Sequence, residues 1–226
     1  VMPAAALAPS VDAPHADAST PFRAACANDA AACAPLVFAS GVGEFGFFLG
    51  ESDARCIAFL QQAFRSRHGR FSWRRHRVAV GADGTVQAVM AIHDGRRTMF
   101  DDLHVVWALA RFFGVRRTIG QLLRGLVLET EIPAPKRAQI LIAHCATDER
   151  QRGTGIFTAL LRDALETGAL PDDGSRDIVL DVLARNVRAR ELYERLGFAV
   201  LTRSRQRSRR LPAELASVRM RLARRG

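Results

Sequence analysis

The stretch that most constrains this chain lies between residues 140 and 198. An apolar run over 140–146 reads as a buried strand and ends at the charged Asp148-Glu149-Arg150-Gln151-Arg152. Gly153, Thr154 and Gly155 follow, and the apolar period then turns helical as far as about Glu166. A second buried strand over 178–182 and a helix from about 186 to 196 complete the unit. A glycine loop that opens a helix presents unpaired backbone N–H groups at the positive end of the helix dipole, an environment suited to a phosphate or pyrophosphate.

Spacing separates the nucleotide-binding readings of that loop. No Gly-Lys-Ser/Thr is present, which removes a Walker-type phosphate loop. A dinucleotide fold wants Gly-x-Gly-x-x-Gly directly after the strand, with an acid ending the next strand. Gly153, Gly155 and Asp181 partly fit, but Thr158 stands at the third glycine position and five polar residues separate strand from glycines. The remaining reading is an acyl-coenzyme A site.

Residues 147–161, Thr-Asp-Glu-Arg-Gln-Arg-Gly-Thr-Gly-Ile-Phe-Thr-Ala-Leu-Leu, resemble the acetyl-CoA loop of the GNAT superfamily of N-acetyltransferases, with its Arg/Gln-x-x-Gly-x-Gly/Ala core. Asp181-Val182, Asn186, Ala189, Leu192-Tyr193 and Leu196-Gly197-Phe198 are similar to that family's second signature, in the right order and at an ordinary separation. The resemblance implies that Arg152, Gly153, Thr154, Gly155, Ile156, Phe157 and Thr158 wrap the pyrophosphate of acetyl-CoA. It implies too that Cys145, Ala146 and Thr147 pair with the pantetheine arm, one backbone N–H among them polarising the thioester carbonyl. Asn186 would contact the same arm, and Tyr193, the only tyrosine in the chain, would protonate the departing thiolate. Asn186 and Tyr193 are two helical turns apart and share a face. One departure stands out: Phe157 occupies a position that is usually Gly or Ala. Taken singly, Asn186 reads as a helix N-cap and Tyr193 as a packed aromatic. No base is identifiable; Asp101, Asp102, Glu129, Glu131 and His144 stand near the expected acceptor side, and water could relay the proton.

The resemblance implies an α/β (α+β) chain with a GNAT-like mixed, mostly antiparallel central sheet flanked by helices. Residues 1–34 hold fourteen alanines, four prolines and almost no large apolar side chain, the composition of a disordered arm. A single N-acetyltransferase domain is then expected over 35–226, opening with a short strand at 36–39 and a helix at about 52–65. Val78 and Val80, then Val86, Ala88, Met90 and Ile92, alternate around Asp83-Gly84 and predict a hairpin. Residues 98–133 switch to helical period. Leu103, Val106, Trp107, Ala110 and Phe113 form one stripe and Ile119, Leu122, Leu123 and Leu126 another, with Gly114 between them. This helical pair is an insertion before the fourth strand, either a hairpin packing its stripes on the sheet or a wall over the acceptor. The chain is expected to end with strands at 198 and at about 215–222.

The formal charge of +10 points to nucleic acid only if it is spread over the chain, and it is not. Thirty-two of the 33 basic residues are arginine; residues 65–77 carry a net +6 and residues 203–226 a net +8, leaving −4 elsewhere. Patches without interleaved stacking aromatics make nucleic acid a poor partner, and coenzyme A, with several phosphates, a better one. Four cysteines without Cys-x-x-Cys spacing predict free thiols and no metal. Absence of a spanning apolar run or an opening signal pattern leads to the expectation of a cytoplasmic enzyme away from membranes. The expected reaction is acetyl transfer from acetyl-CoA to a primary amine, on a small molecule or a protein, with a homodimer left open. The competing classes are a silent acyl-CoA sensor and an arginine-patch nucleic-acid binder on the same fold.

Overall fold

The computed structural model describes residues 21–202 and 208–223. It contains one seven-stranded sheet in the order β1 (Phe22–Ala24), β2 (His76–Val80), β3 (Val86–Asp94), β4 (Gln139–Thr147), β5 (Asp177–Leu183), β7 (Ser217–Leu222), β6 (Phe198–Val200). Only β4 and β5 run parallel; every other pairing is antiparallel. The parallel pair is joined through α6 (Ile156–Glu166), as a parallel connection requires a crossover. The alternation of β2 and β3 divides two cores. Val78, Val80 and Val89 face one core with α1 (Ala30–Ala39), α2 (Val42–Leu49), α3 (Asp53–Phe64) and α4 (Thr98–Phe113). Ala79, Ala88 and Met90 face the other with α6 and part of α7 (Val187–Arg195).

Three expectations are corrected at the N-terminal side. Residues 21–34 are not part of an arm: β1 pairs with β2, and α1 begins at Ala30. Residues 1–20 of the expected arm lie outside the described residues. Small side chains achieve here what large ones do elsewhere, because Ala25, Ala30, Cys33 and Ala34 are fully buried and let the backbone approach its neighbours closely. Arg23 grips Asp29 through two hydrogen bonds of 2.7 and 2.9 Å, and the same carboxylate accepts the Cys26 N–H at 2.7 Å, fixing the entry to the helix. The strand expected at 36–39 is the last turn of α1, where alanine's helix propensity outweighs Pro35 in its interior. The helix α2 was not foreseen.

The helical pair is α4 followed by α5 (Val115–Glu129), inserted between β3 and β4, but its stripes do not pack on the sheet. Leu103, Trp107, Ile119, Leu123 and Leu126 are 58–64% exposed. The reason lies on the inner face of α5, which is polar. Gln121 Nε2 donates to the Leu49 carbonyl at 3.2 Å, and Arg124 donates to the Phe48 and Leu49 carbonyls at 3.1 and 2.8 Å. The last carbonyls of a helix have no partners inside it; satisfying those of α2 takes the inward face and turns leucines outward. Among the described residues no single helix is long and apolar enough to cross a membrane; only α1 with its preceding turn and α2, bent by 96°, pass together by length and composition.

Candidate active site

The site forms where β4 and β5 part. Their pairing runs from Gln139↔Asp177 to Ile142↔Leu180 and stops, while β4 continues to Thr147 and β5 to Leu183. Beyond Ile142, the β4 edge that faces β5 therefore has no strand partner, though its other edge stays paired to β3 through Val89↔Ala146 and Ala88↔Thr147. A small cavity of about 110 Å³ occupies the gap, lined by residues that include Glu44, His144, Cys145, Asn186, Ala189 and Tyr193. It adjoins a larger one of about 580 Å³ under α2, α4 and α5; Ser40, Glu44, Ala143, His144 and Asp181 line both.

A β-bulge aims the side chains at the junction. The register between β3 and β4 shifts between Val89 and Ala91, so that His144 and Cys145 together oppose Met90, and His144 takes φ +51°. The extra residue turns the His144 ring to the face that carries His76 and His93 and leaves Cys145 on the opposite face, against Tyr193. His144 stacks on His76 at 5.2 Å and on Phe71 at 5.5 Å, and meets His93 edge-on at 5.5 Å.

Hydrogen bonding fixes the tautomers of two of these rings. His76 Nδ1 lies 2.8 Å from the Ser72 carbonyl, which can only accept, so Nδ1 carries the proton. His76 Nε2 is then an acceptor and takes the proton on His144 Nδ1 across 3.0 Å. His144 Nε2 is left with a lone pair and no hydrogen-bond partner among the described residues, on a residue that lines both cavities. Burial pulls His76 down to about 4 and His93 and His144 well below 6.5, keeping all three neutral at physiological pH.

Such groups bind protons better unfolded than folded, so they weaken the fold as pH falls from about 6.5 towards 4. Glu44 works with the opposite sign above 4.5, one proton against as many as three. The thermal midpoint is expected to fall steadily as pH drops from 7 to 4.5, measured by circular dichroism; a flat or rising midpoint would contradict the buried neutral triad.

Glu44 is the residue that the sequence reading missed. It sits on α2 at the boundary of both cavities, its Oε2 is buried with no hydrogen-bond partner, and burial raises its carboxyl above the ordinary value. The signal was present: Glu44 is the single charged residue from Pro35 to Gly50. The five candidate bases fare differently. Asp101 is buried against Arg75 at 2.8 Å and lines neither cavity. Glu131 accepts the Ser217 N–H at 2.6 Å and holds β7. Asp102 and Glu129 reach the large cavity but flank Arg70 at 2.5 and 3.8 Å. His144 alone of the five reaches the junction.

On the donor side, Tyr193 is buried, its ring edge-on to Phe157 at 6.2 Å and to Phe198 at 6.0 Å, and its hydroxyl lies beside the Cys145 thiol. Burial pushes the phenol well above 10 and the Cys145 thiol up to about 12. Phe157 turns its ring into the core, so its bulk does not stand over the backbone of the loop. Gly153 and Gly155 adopt φ +85° and +83°, the left-handed conformation glycine tolerates, and Gly155 caps α6. The N–H groups of Ile156, Phe157 and Thr158 are the first of that helix and precede its hydrogen-bonded ladder, which starts with Ala159 N–H on the Gly155 carbonyl. Thr154 Oγ1 donates to the Gln151 carbonyl at 2.8 Å, bracing the loop. Arg152 is at the surface, 3.3 Å from Glu149. Asn186 does act as an N-cap, its Oδ1 accepting the Ala189 N–H at 3.2 Å, and it also lines the small cavity.

The first arginine patch is partly consumed within the fold: Arg70, Arg75 and Arg77 pair with Asp102, Asp101 and Asp163. Residues 203–207 and 224–226 of the second lie outside the described residues. The cysteines are free, and no group of three or more metal-ligating side chains occurs among the described residues.

A mixed sheet splayed between two parallel strands, with a glycine loop at the helix that joins them, defines the acetyltransferase fold. The sequence matches the acetyltransferase (GNAT) family over residues 43–198, and the chain belongs to that family. Its fold resembles the crystal structure of an acetyltransferase with a TM-score of 0.62 and 19% identity, covering 90% of this chain and 99% of that one. It also resembles an N-acetyltransferase from Staphylococcus aureus Mu50 (TM-score 0.59, 15% identity, 89% and 99% covered). A third similar structure, a histone acetyltransferase HPA2 and related acetyltransferase from Corynebacterium glutamicum, has a TM-score of 0.55 and 17% identity, with 92% and 98% covered. No curated protein sequence matches the chain.

Proposed function

We propose that this protein transfers an acetyl group from acetyl-CoA to a primary amine by direct attack, the two substrates meeting where the small and large cavities adjoin. The observation that carries this reading is the junction itself, where an unpartnered strand edge and a buried phenol lie on one side and a buried carboxylate with one open oxygen and an imidazole lone pair on the other.

The pantetheine arm adds to the free edge of β4 at Cys145, Ala146 and Thr147, where one N–H stabilises the oxyanion. The pyrophosphate takes the N–H groups from Gly153 to Thr158. Glu44 attracts the ammonium and accepts one of its protons; its raised affinity for protons in a dry site brings it closer to the amine than an exposed carboxylate would be. His144 Nε2 accepts an N–H and turns the nitrogen lone pair towards the thioester carbon. The C–N bond forms, the C–S bond breaks, and Tyr193 protonates the thiolate. The second proton that the nitrogen loses as the amide forms returns through water to the Tyr193 phenolate and restores the phenol.

Titration calorimetry with acetyl-CoA is the test of the donor. One site per chain is expected, weakened at least about tenfold in Gly155→Val, because a β-branched residue is strained at φ +83° and displaces the loop. No heat of binding at millimolar acetyl-CoA would overturn the reading.

A further inference from the structure

Resting on that reading, we infer that the acceptor is an amphiphilic amine, one primary ammonium on a bulky alkyl or arylalkyl body, with its nitrogen at Glu44 and its apolar part in the large cavity.

The cavity of about 580 Å³ lies within the range of roughly 300–1,000 Å³ that ligand pockets occupy. It is far more room than a short amine needs. Its walls are mostly apolar, with Phe45, Phe48 and Phe71 on one side and Val105, Leu122 and Leu128 on another. Beyond Glu44, three carboxylates and one arginine reach it, and each of the three has a cation nearby. Arg70 stands between Asp102 and Glu129, and Asp181 is held by two hydrogen bonds from Arg219 at 2.9 and 2.6 Å. What stays open is the Glu44 carboxylate at the deep end, beside the thioester position, and the neutral histidines. That distribution matches one cation at one end of an apolar molecule. A polyamine would have to set its further cations against Asp102 and Glu129, which already share Arg70, and burying an incompletely paired charge is costly.

The mouth continues the pattern. Val106 and Leu126 line the cavity and are themselves exposed, so part of its apolar wall reaches the outer face of α4 and α5, where Leu103, Trp107 and Leu123 stand in solvent. A chain longer than the cavity has an apolar surface to lie on.

The test is a ladder of acceptors assayed with acetyl-CoA: butylamine, hexylamine, octylamine and phenethylamine against spermidine and a lysyl peptide. KM is expected to fall by up to about fourfold for each methylene that becomes buried. Octylamine and phenethylamine should exceed spermidine and the peptide in kcat/KM by at least tenfold. Leu126→Glu, at an exposed position where folding is not at stake, should shrink the ratio of octylamine to butylamine. A flat KM along the ladder, or preference for spermidine or the peptide, overturns this inference and leaves the acetyltransferase reading intact. Acetyl transfer to none of the amines overturns both.

Discussion

Tyr193→Phe is expected to lower kcat by about 10²–10⁴ while leaving acetyl-CoA affinity nearly unchanged. The substitution keeps the ring, and with it the edge-on contacts to Phe157 and Phe198 that close the core beneath α7. It removes only the hydroxyl beside the Cys145 thiol, for a stability cost of about 1 kcal/mol. The effect should therefore fall on turnover. The phenol stands beside Cys145, and burial holds its proton in place through the neutral pH range. A variant with wild-type kcat would remove Tyr193 from the chemistry and return it to the role of a packed aromatic.

Glu44→Gln is expected to cost at least about a hundredfold in kcat/KM and, at neutral pH, to make the protein more stable. The two effects share a cause. A carboxylate held in a dry site with an unpartnered oxygen is destabilising when charged, and it is useful only when an ammonium arrives. Because its folded-state affinity for protons is raised, wild-type stability from this group is present at low pH and lost as pH climbs from 4.5 through the folded value. The gain in thermal midpoint of the Gln variant should appear over that interval and vanish below it. In the wild type kcat/KM should rise with pH over the same interval, and the Gln variant should lose that acid limb. A variant that is less stable at pH 8, or that retains the acid limb, would contradict the assignment.

The donor half of the site was legible because its signals are local. A strand, a charged loop, glycines at fixed offsets and an amphipathic helix each leave a periodic trace, and α6, β5 and α7 lie within a few residues of where that trace puts them. The acceptor half was not. The helix α2 carries Gly43 and Gly46 inside it and Gly50 at its end, which depresses helix propensity, so Glu44 passed as a loop residue. The bulge that brings His144 to the junction uses a histidine at positive φ rather than a glycine, and a one-residue shift leaves no periodic mark. Of the two readings of α4 and α5, that of stripes packed on the sheet follows the ordinary rule, and that of a wall over the acceptor does not need it. The rule fails where Gln121 and Arg124 serve the carbonyls of α2, a tertiary need that no window of sequence displays. Alanine misled in the same way at residues 21–34, where composition describes what cannot collapse alone but not what can pack against a sheet.

The most direct measurement is release of the coenzyme A thiol from acetyl-CoA with and without octylamine, with the product identified by mass spectrometry. The account predicts thiol release that depends on the amine, matches N-acetyloctylamine mole for mole, and nearly disappears in both Tyr193→Phe and Glu44→Gln. Release that is independent of amine, or undiminished in the two variants, would contradict it.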